Sequence, residues 1–278
     1  MDWSRAKNIL IIAFILLNVF LFANIVGANT GNGISRKVLE DTERILTSRG
    51  VQLNKGFTIP TTGVKAEKLL FGAAGFDREA VVKALLGIEK PGAGEVNSKA
   101  VLQKDGKTVS FVGDHRFIYE DKSPGNPEGG PAGEKAVRNL LSGAGIHMEN
   151  FIRDYQAEDP SDPDKLVFIE KYKSFLVYDN QIRVRLAQGK IQRIECSICR
   201  VKGFAGPPVE IIPAYQVLIK KIVSEGDVIL QMDLGYKGYA SDWDEKGAME
   251  LSQGPAWRVV LKGREPSYFR AYDGEELK

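Results

Sequence analysis

Apolar residues recur at helical spacing in four stretches of the chain. We predict helices over residues 37–49, 77–86 and 134–142 and a fourth that begins at Pro213, a residue suited to the first helical position. Asp77 is a suitable N-cap for the second helix, and Gly50 and Gly87 follow the first two helices as C-terminal glycines. The apolar positions of the four helices are Val38, Leu39, Ile45 and Leu46; Val81, Val82, Leu85 and Leu86; Val137, Leu140 and Leu141; and Tyr215, Leu218, Ile219, Ile222 and Val223.

Strand patterns and turn residues fill much of the chain between these helices. Residues 108–119 predict a hairpin around Gly113-Asp114. Residues 182–186 alternate apolar and charged side chains, so this strand has one buried and one wet face. Asp179-Asn180 predicts a turn before it, and Gln188-Gly189 predicts a turn after it. Further strands are predicted over residues 190–201 and near residues 228–236, 257–261 and 268–272.

A stretch crowded with proline and glycine divides the chain. Residues 122–133 read as an interdomain linker or a long exposed loop. We therefore predict a tail and membrane anchor over residues 1–29, a first lobe over residues 30–121 and a second lobe over residues 134–278. Residues 46–53 and 141–148 are similar, which fits either a duplicated helix-and-sheet unit or two ordinary glycine-capped helices.

The N-terminal segment has the length and composition of a membrane span. From residue 9 to residue 28 the only polar side chains are Asn18 and Asn24, and no charge lies between Lys7 and Arg36. About 20 helical residues cross a bilayer, whereas a signal-peptide core has only about 7 to 15. We therefore expect an uncleaved, single-pass anchor.

Two details of this segment bear on whether the anchor is retained and on how it is oriented in the membrane. Residues 26–28 would suit a signal-peptidase site, so cleavage is the alternative. Arg5 and Lys7 directly precede the span, which predicts a short cytoplasmic tail and an extracytoplasmic body at the cell membrane.

An asparagine near the middle of the span carries a hypothesis about contacts. An amide in hydrocarbon costs free energy unless another group receives its hydrogen bonds. Phe14, Leu21 and Ile25 share the helical face of Asn18, so these four residues are the candidate partner-contact stripe. The alternative is an isolated helix that tolerates one asparagine.

The balance of charges along the chain argues against a nucleic-acid partner. The chain has 38 Lys and Arg residues against 36 Asp and Glu residues, for a formal net charge of +2. Neither a basic stripe nor an acidic tail stands out, so we expect no nucleic-acid partner.

Catalytic and metal-binding constellations are sparse in this sequence. The two histidines, His115 and His147, lie in predicted strands far apart in the chain. Cys196 and Cys199 form a CxxC pair whose side chains point to opposite strand faces, which leaves a strained disulfide, a redox pair or two packed thiols open. We therefore predict no enzyme activity, no catalytic or metal-binding residues and no cofactor.

Both ends of the chain resemble one protein family. Residues 1–7 (Met-Asp-Trp-Ser-Arg-Ala-Lys), running into the apolar residues 9–14, resemble the opening of the YycI proteins. Residues 234–236, 255–258 and 268–275 resemble that family's C-terminal signature, and the last of these is also similar to PepSY-type modules.

The resemblance implies a fold and a function. The fold would be an α+β extracytoplasmic body of two lobes, with antiparallel sheets packed against helices in a PepSY-like or cystatin-like topology. The function would be non-enzymatic regulation of the WalK-WalR two-component system of Gram-positive bacteria. The expected partners are a WalK-like sensor histidine kinase and a YycH-like protein. The alternative is a membrane-tethered extracellular module that binds or inhibits a peptide or a cell-wall component.

Overall fold

The computed structural model of the 278-residue chain describes most of the body and part of the N-terminal segment. The described residues are 7, 11–20, 34–61, 65–89, 101–122, 133–155, 158, 162, 164–221, 224–238 and 251–277. Residues 11–20 are helical. Among the described residues, no helix has both the length and the hydropathy required to cross a bilayer.

The described body combines four α-helices with a large and mostly antiparallel sheet. The helices are α1 (Arg36–Ser48), α2 (Arg78–Leu86), α3 (Glu134–Gly143) and α4 (Ala214–Lys221). The strands are β1 (Gln52–Leu53), β2 (Lys65–Ala74), β3 (Val101–Lys104), β4 (Lys107–Val112), β5 (Arg116–Asp121), β6 (Phe151–Arg153), β7 (Lys165–Tyr172), β8 (Phe175–Ala187), β9 (Lys190–Ser197), β10 (Cys199–Glu210), β11 (Val228–Lys237), β12 (Leu251–Leu261), β13 (Ser267–Arg270) and β14 (Glu276–Leu277). This is the α+β class that the sequence predicts.

Strand β8 joins two parts of the sheet. The main strand order is β10-β2-β12-β11-β8-β9-β5-β4-β3, with β7 also paired to β8. The first part of β8 pairs in parallel with β11 through Leu176 and Val177. Its second part, residues 181–187, pairs antiparallel with β9. A single strand therefore carries the sheet from one helix-covered region to the other.

Each region has its own hydrophobic core. The first core packs α2 and α3 on β4, β5, β8 and β9, and its aromatic centre includes an edge-to-face contact between Phe76 and Phe117 at 5.1 Å between ring centroids. The second core packs α1 and α4 on β11, β12 and β13 around the fully buried Trp257. The indole N–H of Trp257 donates to the carbonyl of Ile212 at 2.9 Å, as a buried indole requires.

The cores cut across the lobes predicted from the sequence. The first core contains Phe117 and Val137, which lie on either side of residues 122–133. The second core contains Leu46 and Trp257, from opposite ends of the body. The boundaries at residues 30–121 and 134–278 stay a prediction, and the packing groups residues from both sides of that segment.

The structure confirms the predicted helices. The Asp77 side chain caps α2 by accepting from the backbone N–H of Glu79 at 2.8 Å, and Gly87 ends the helix with φ +62°. Helix α1 ends before Gly50, which has φ +78°. Helix α4 starts at Ala214, one residue later than predicted, and the predicted apolar positions Ile222 and Val223 lie outside the described residues.

The strand predictions were confirmed where the pattern is local. The hairpin of β4 and β5 forms, with a three-residue loop because Val112 pairs with Arg116. The turn at Gln188-Gly189 forms, with positive φ at both residues. The alternation over residues 182–186 is also confirmed, because Arg183 and Arg185 are exposed and their neighbours are buried.

Two strand predictions were wrong. Asp179-Asn180 is not a turn, because β8 runs continuously from Phe175 to Ala187, and the reversal before it uses Lys173 at φ +54°. Residues 190–201 are not one strand, because Ile198 separates β9 from β10. In both places the chain forms hydrogen bonds with residues that are distant in sequence. Asp179 bonds to Lys237, and Asn180 bonds to the backbone of Cys199.

The two similar segments share a helix cap. The N–H of Val51 donates to the carbonyl of Leu46 at 3.1 Å, and the N–H of Ile146 donates to that of Leu141 at the same distance. Beyond the cap the segments differ, because β1 pairs in parallel with β11 whereas residues Met148–Asn150 form a 3₁₀ turn.

Candidate functional site

The predicted contact stripe falls partly within the described helical segment. Phe14 is 65% exposed. The side-chain amide of Asn18 donates to the carbonyl of Phe14 at 2.8 Å, so one of its hydrogens is satisfied within the helix. Leu21 and Ile25 lie outside the described residues.

The described part of this segment exposes many apolar side chains. An exposed contiguous apolar surface of this kind is typical of a membrane or partner contact rather than of a free surface. Its large exposed side chains are Ile11, Ile12, Phe14, Ile15, Leu16, Leu17, Val19 and Phe20.

The second candidate region is a bulge in the shared strand. In the pairing of β7 with β8, Ile169 faces Gln181 and Glu170 faces Val177, so three residues of β8 have no partner on β7. These residues are Tyr178, Asp179 and Asn180. A bulge re-aims side chains, and here it aims Tyr178 and Asp179 toward β11 and Asn180 toward β10.

Each residue of the bulge forms side-chain hydrogen bonds with a different set of partners. The Tyr178 hydroxyl donates to Oδ1 of Asp233 at 2.8 Å. The Asp179 carboxylate accepts from Lys237 Nζ at 3.1 Å and from the backbone N–H of Gly238 at 2.6 Å. The Asn180 side chain pairs with both backbone groups of Cys199, donating to its carbonyl at 2.7 Å and accepting from its N–H at 2.9 Å. These side-chain hydrogen bonds hold the bulge in place where the backbone pairing between β7 and β8 is interrupted.

A buried arginine completes this polar group, which we call the β8 junction. Arg258 on β12 is 1% exposed and pairs with Asp154, which follows β6, and with Asp233 on β11 at 3.1 Å. Its guanidinium lies 5.4 Å from the Tyr178 ring centroid. Burial would lower the pKa of Arg258, but Asp233, Tyr178 and Asp154 outweigh it and hold the pKa above its ordinary value. Arg258 therefore stays charged and ties β6 to β11 and β12.

An open cleft of about 450 Å³ lies on one side of the β8 junction. It forms where α2 begins, the loop after α3 passes, β7 ends and β10 starts. Phe76, Ile146, Phe151 and Ile198 supply apolar wall. This size and lining are typical of ligand clefts.

The cleft contains an unusual carboxyl group, that of Glu170. Desolvation raises the pKa of Glu170, and the hydrogen bond from the Asn180 amide opposes that rise only in part. No ion pair joins a described cation to the carboxylate of Glu170. A perturbed, partly buried carboxyl in a cleft is a functional-site candidate.

The cysteines and histidines do not form a reactive site. Cys196 and Cys199 are buried free thiols that pack in different apolar clusters. Burial raises the pKa of Cys196, and burial with Asp179 and Glu170 raises the pKa of Cys199 to about 12, so neither thiol is activated. The prediction that both histidines lie in strands was wrong, because His115 is in the turn between β4 and β5 and His147 precedes the 3₁₀ turn.

Metal binding finds no support in the described ranges. There, His, Cys, Asp and Glu side chains do not gather in groups of three or more that could hold an ion.

The β8 junction and the role of Glu170 were not predicted from the sequence, because the residues that they contact come from separate strands. The one available signal was Asp179-Asn180, which marks an irregularity but was interpreted as a turn.

Comparisons with known proteins give a family and several distant likenesses. No curated protein sequence matches the chain. Among solved structures, an uncharacterized protein from Eubacterium rectale is similar at 12% identity and a TM-score of 0.45, over 86% of this chain and 99% of that one. YycH from Bacillus subtilis is similar at 12% identity and a TM-score of 0.49, over 79% of this chain and 55% of YycH. The YpeB C-terminal domain from Bacillus megaterium is similar at 12% identity and a TM-score of 0.34, over 72% and 94% of the two chains.

The sequence comparison is more decisive than these structural likenesses. The family model described as YycI protein matches residues 32–272, which include all four helices and most of the strands. The chain therefore belongs to the YycI family.

Proposed function

We propose that the chain is a non-enzymatic regulatory subunit of a WalK-type membrane sensor histidine kinase and acts together with a YycH-like protein. Membership of the YycI family over residues 32–272 carries this proposal. The proposal includes a membrane anchor within residues 1–29, an extracytoplasmic body, and a PepSY-like or cystatin-like topology for its two lobes.

The exposed apolar segment supports a contact through the membrane helix. Residues 11–20 present large apolar side chains on all sides, with Phe14 and Asn18 close together on one of them. Leu21 and Ile25 continue this face in the sequence. Contacts between membrane helices depend on close packing and on the few polar groups available, so a stripe with one amide suits a docking face.

The energetic requirement on such a regulator is modest. A partner shifts a two-state kinase only by its difference in affinity for the two states. A shift from 1:99 to 99:1 needs about 5.5 kcal/mol, and smaller shifts need less. One helix face and one surface of the body can together supply a difference of this order.

Co-purification from native membranes tests the proposal. The full-length protein is compared with a version in which residues 8–28 are replaced by polyleucine, and bound proteins are identified. We expect a sensor kinase and a YycH-like protein to co-purify with the natural span and to be reduced with the polyleucine span. Recovery of neither partner with the natural span would contradict the proposal.

A matched pair of variants locates the contact on one helix face. Phe14→Ala with Asn18→Leu alters the proposed stripe. Leu16→Ala with Phe20→Ala alters positions about 200° further round the helix, at similar exposure. We expect the first pair to reduce kinase recovery and the second pair to leave it near the wild-type level. Equal effects would show that the span contributes only general hydrophobicity.

The cleft beside Glu170 favours a second candidate, a membrane-tethered extracellular binding module for a peptide or a cell-wall component. The cleft has the volume of a ligand site and a partly buried carboxyl. If the polyleucine variant retains full regulatory function, the anchor is only a tether and this second function is favoured.

A further inference from the structure

The cleft contains a carboxylate whose acceptor capacity is largely unused. An ionised carboxylate has about four lone-pair positions for hydrogen bonds. In Glu170, Oε2 accepts from the Asn180 amide, and no other hydrogen bond to this carboxylate is present among the described residues. Asp77 also lines the cleft, but its carboxylate is engaged in capping α2.

The basic side chains that line the cleft do not neutralise Glu170. His147 lines the cleft but pairs with Glu149 at 3.0 Å, and both side chains are largely exposed. Arg200 also lines the cleft and is exposed, and among the described residues no ion pair joins it to Glu170. A partly desolvated carboxylate without a counter-ion is unfavourable, and a bound cation would relieve that cost.

The walls around the carboxylate are mainly apolar. Phe76 and Phe151 contribute aromatic side chains, and Ile198 contributes a branched aliphatic one. Such walls suit the methylene stem of a long basic side chain, which packs on apolar surface while its charged end reaches a polar group.

We propose that this cleft binds the side chain of a lysine or arginine from a partner polypeptide, with its charged end on the carboxylate of Glu170. The start of β10 forms one wall, and β10 is the terminal strand of the main sheet order. The backbone groups of Cys199 bond to Asn180, but a terminal strand can offer the backbone groups of its later residues to a bound peptide, which favours a polypeptide over a free amine. This inference holds whether or not the chain regulates a kinase.

Ligand-observed ¹⁹F NMR with two matched probes tests the proposal on the full-length protein in detergent. The probes are N-trifluoroacetyl-lysine methylamide and N-trifluoroacetyl-norleucine methylamide, which differ in the terminal ammonium group. A hydrogen bond to a charged group contributes about 1.5–3 kcal/mol, so we expect the lysine probe to bind at least about tenfold more tightly. Equal binding of the two probes to the wild-type protein would overturn the proposal.

Two substitutions test whether a preference for the lysine probe over the norleucine probe depends on Glu170. Glu170→Gln removes the charge but keeps an oxygen that can accept from Asn180, so we expect the fold to persist and the lysine preference to disappear. Glu149→Gln removes an exposed carboxylate close to the cleft and should leave the preference unchanged. A preference that survives Glu170→Gln would place the site elsewhere and contradict the inference. Because neither probe contains a kinase segment, this result is independent of the kinase experiment.

Discussion

The first core is buried and the β8 junction is largely buried, but the two are built from opposite kinds of side chain. The first core consists of apolar residues from two helices and one sheet, such as Phe117, Val137 and Leu141. The β8 junction consists of Arg258, two aspartates and the three polar residues of the bulge. Apolar packing tolerates many arrangements, whereas a buried charge requires a particular partner at a particular distance.

This difference separates the source of stability from the source of geometry. Burial of apolar area supplies most of the driving force for folding and has little directional preference. Hydrogen bonds and ion pairs contribute little net stability but are costly to break on one side only. We infer that the two cores supply stability and that the β8 junction fixes how β6, β8, β11 and β12 meet.

Removing the buried cation should give the largest effect. Arg258→Met leaves Asp154 and Asp233 without their guanidinium, and breaking a buried pair on one side costs about 3–5 kcal/mol. Urea denaturation should therefore show a loss near 4 kcal/mol. The control is the double variant Arg258→Met with Asp154→Asn, which should recover part of the loss. If the single variant is as stable as the wild type, the β8 junction does not fix the geometry.

A truncation in the first core should cost somewhat less and behave differently. Leu141 is fully buried on α3, and Leu→Ala substitutions in cores cost about 2–5 kcal/mol through lost transfer energy and the cavity left behind. We expect Leu141→Ala to lower the free energy of unfolding by about 3 kcal/mol. Unlike the Arg258→Met loss, this loss should not be recovered when Asp154→Asn is added, because Leu141 does not pair with that carboxylate, as urea denaturation of the double variant would show. Recovery of the Leu141→Ala loss by Asp154→Asn would remove the distinction between the two regions.

The bulge itself should show a smaller and more local effect. Asn180→Ala removes the partners of the Cys199 N–H and carbonyl, and an unsatisfied buried group costs about 1–3 kcal/mol. We expect a loss of about 2 kcal/mol together with faster hydrogen exchange at the Cys199 amide. Gln181→Ala, on the adjacent residue of β8, is the control and should leave that amide protected. Unchanged exchange in Asn180→Ala would show that the side chain does not hold β10.

The same comparison explains which parts of the structure the sequence predicts. Helix α2 follows from signals within one short segment, because Asp77 and Gly87 mark its ends and its apolar residues have helical spacing. The strand over residues 182–186 follows from simple alternation. These features depend on the secondary-structure preference of each residue and on the burial of one face. Both can be recognised from residues that are close together in the sequence.

The β8 junction depends instead on residues that are far apart in the chain. Asp179 and Asn180 are typical turn residues, but here they lie inside a strand and bond to remote residues such as Lys237 and Cys199. Strand β10 was not predicted beyond residue 201, because it includes glycines at φ +142° and +76° and two prolines. The cleft could not be predicted from a local sequence pattern either, because its lining residues come from the start of α2, the loop after α3, β7 and β10.

The smallest expected effect concerns the pH dependence of stability at Glu170, which lies between the two regions. Desolvation raises its native pKa above the unfolded value, so between these two values the native state binds more protons than the unfolded chain. Stability should therefore fall as the pH rises through this window, and Glu170→Gln should remove that part of the fall while leaving stability at lower pH nearly unchanged. Urea titrations at several pH values measure this, with Glu149→Gln as the control because Glu149 is exposed and its pKa is lowered, mainly by a backbone hydrogen bond. If Glu170→Gln leaves the pH profile unchanged, the carboxyl is better solvated than the cleft geometry implies, and the case for a bound cation weakens with it.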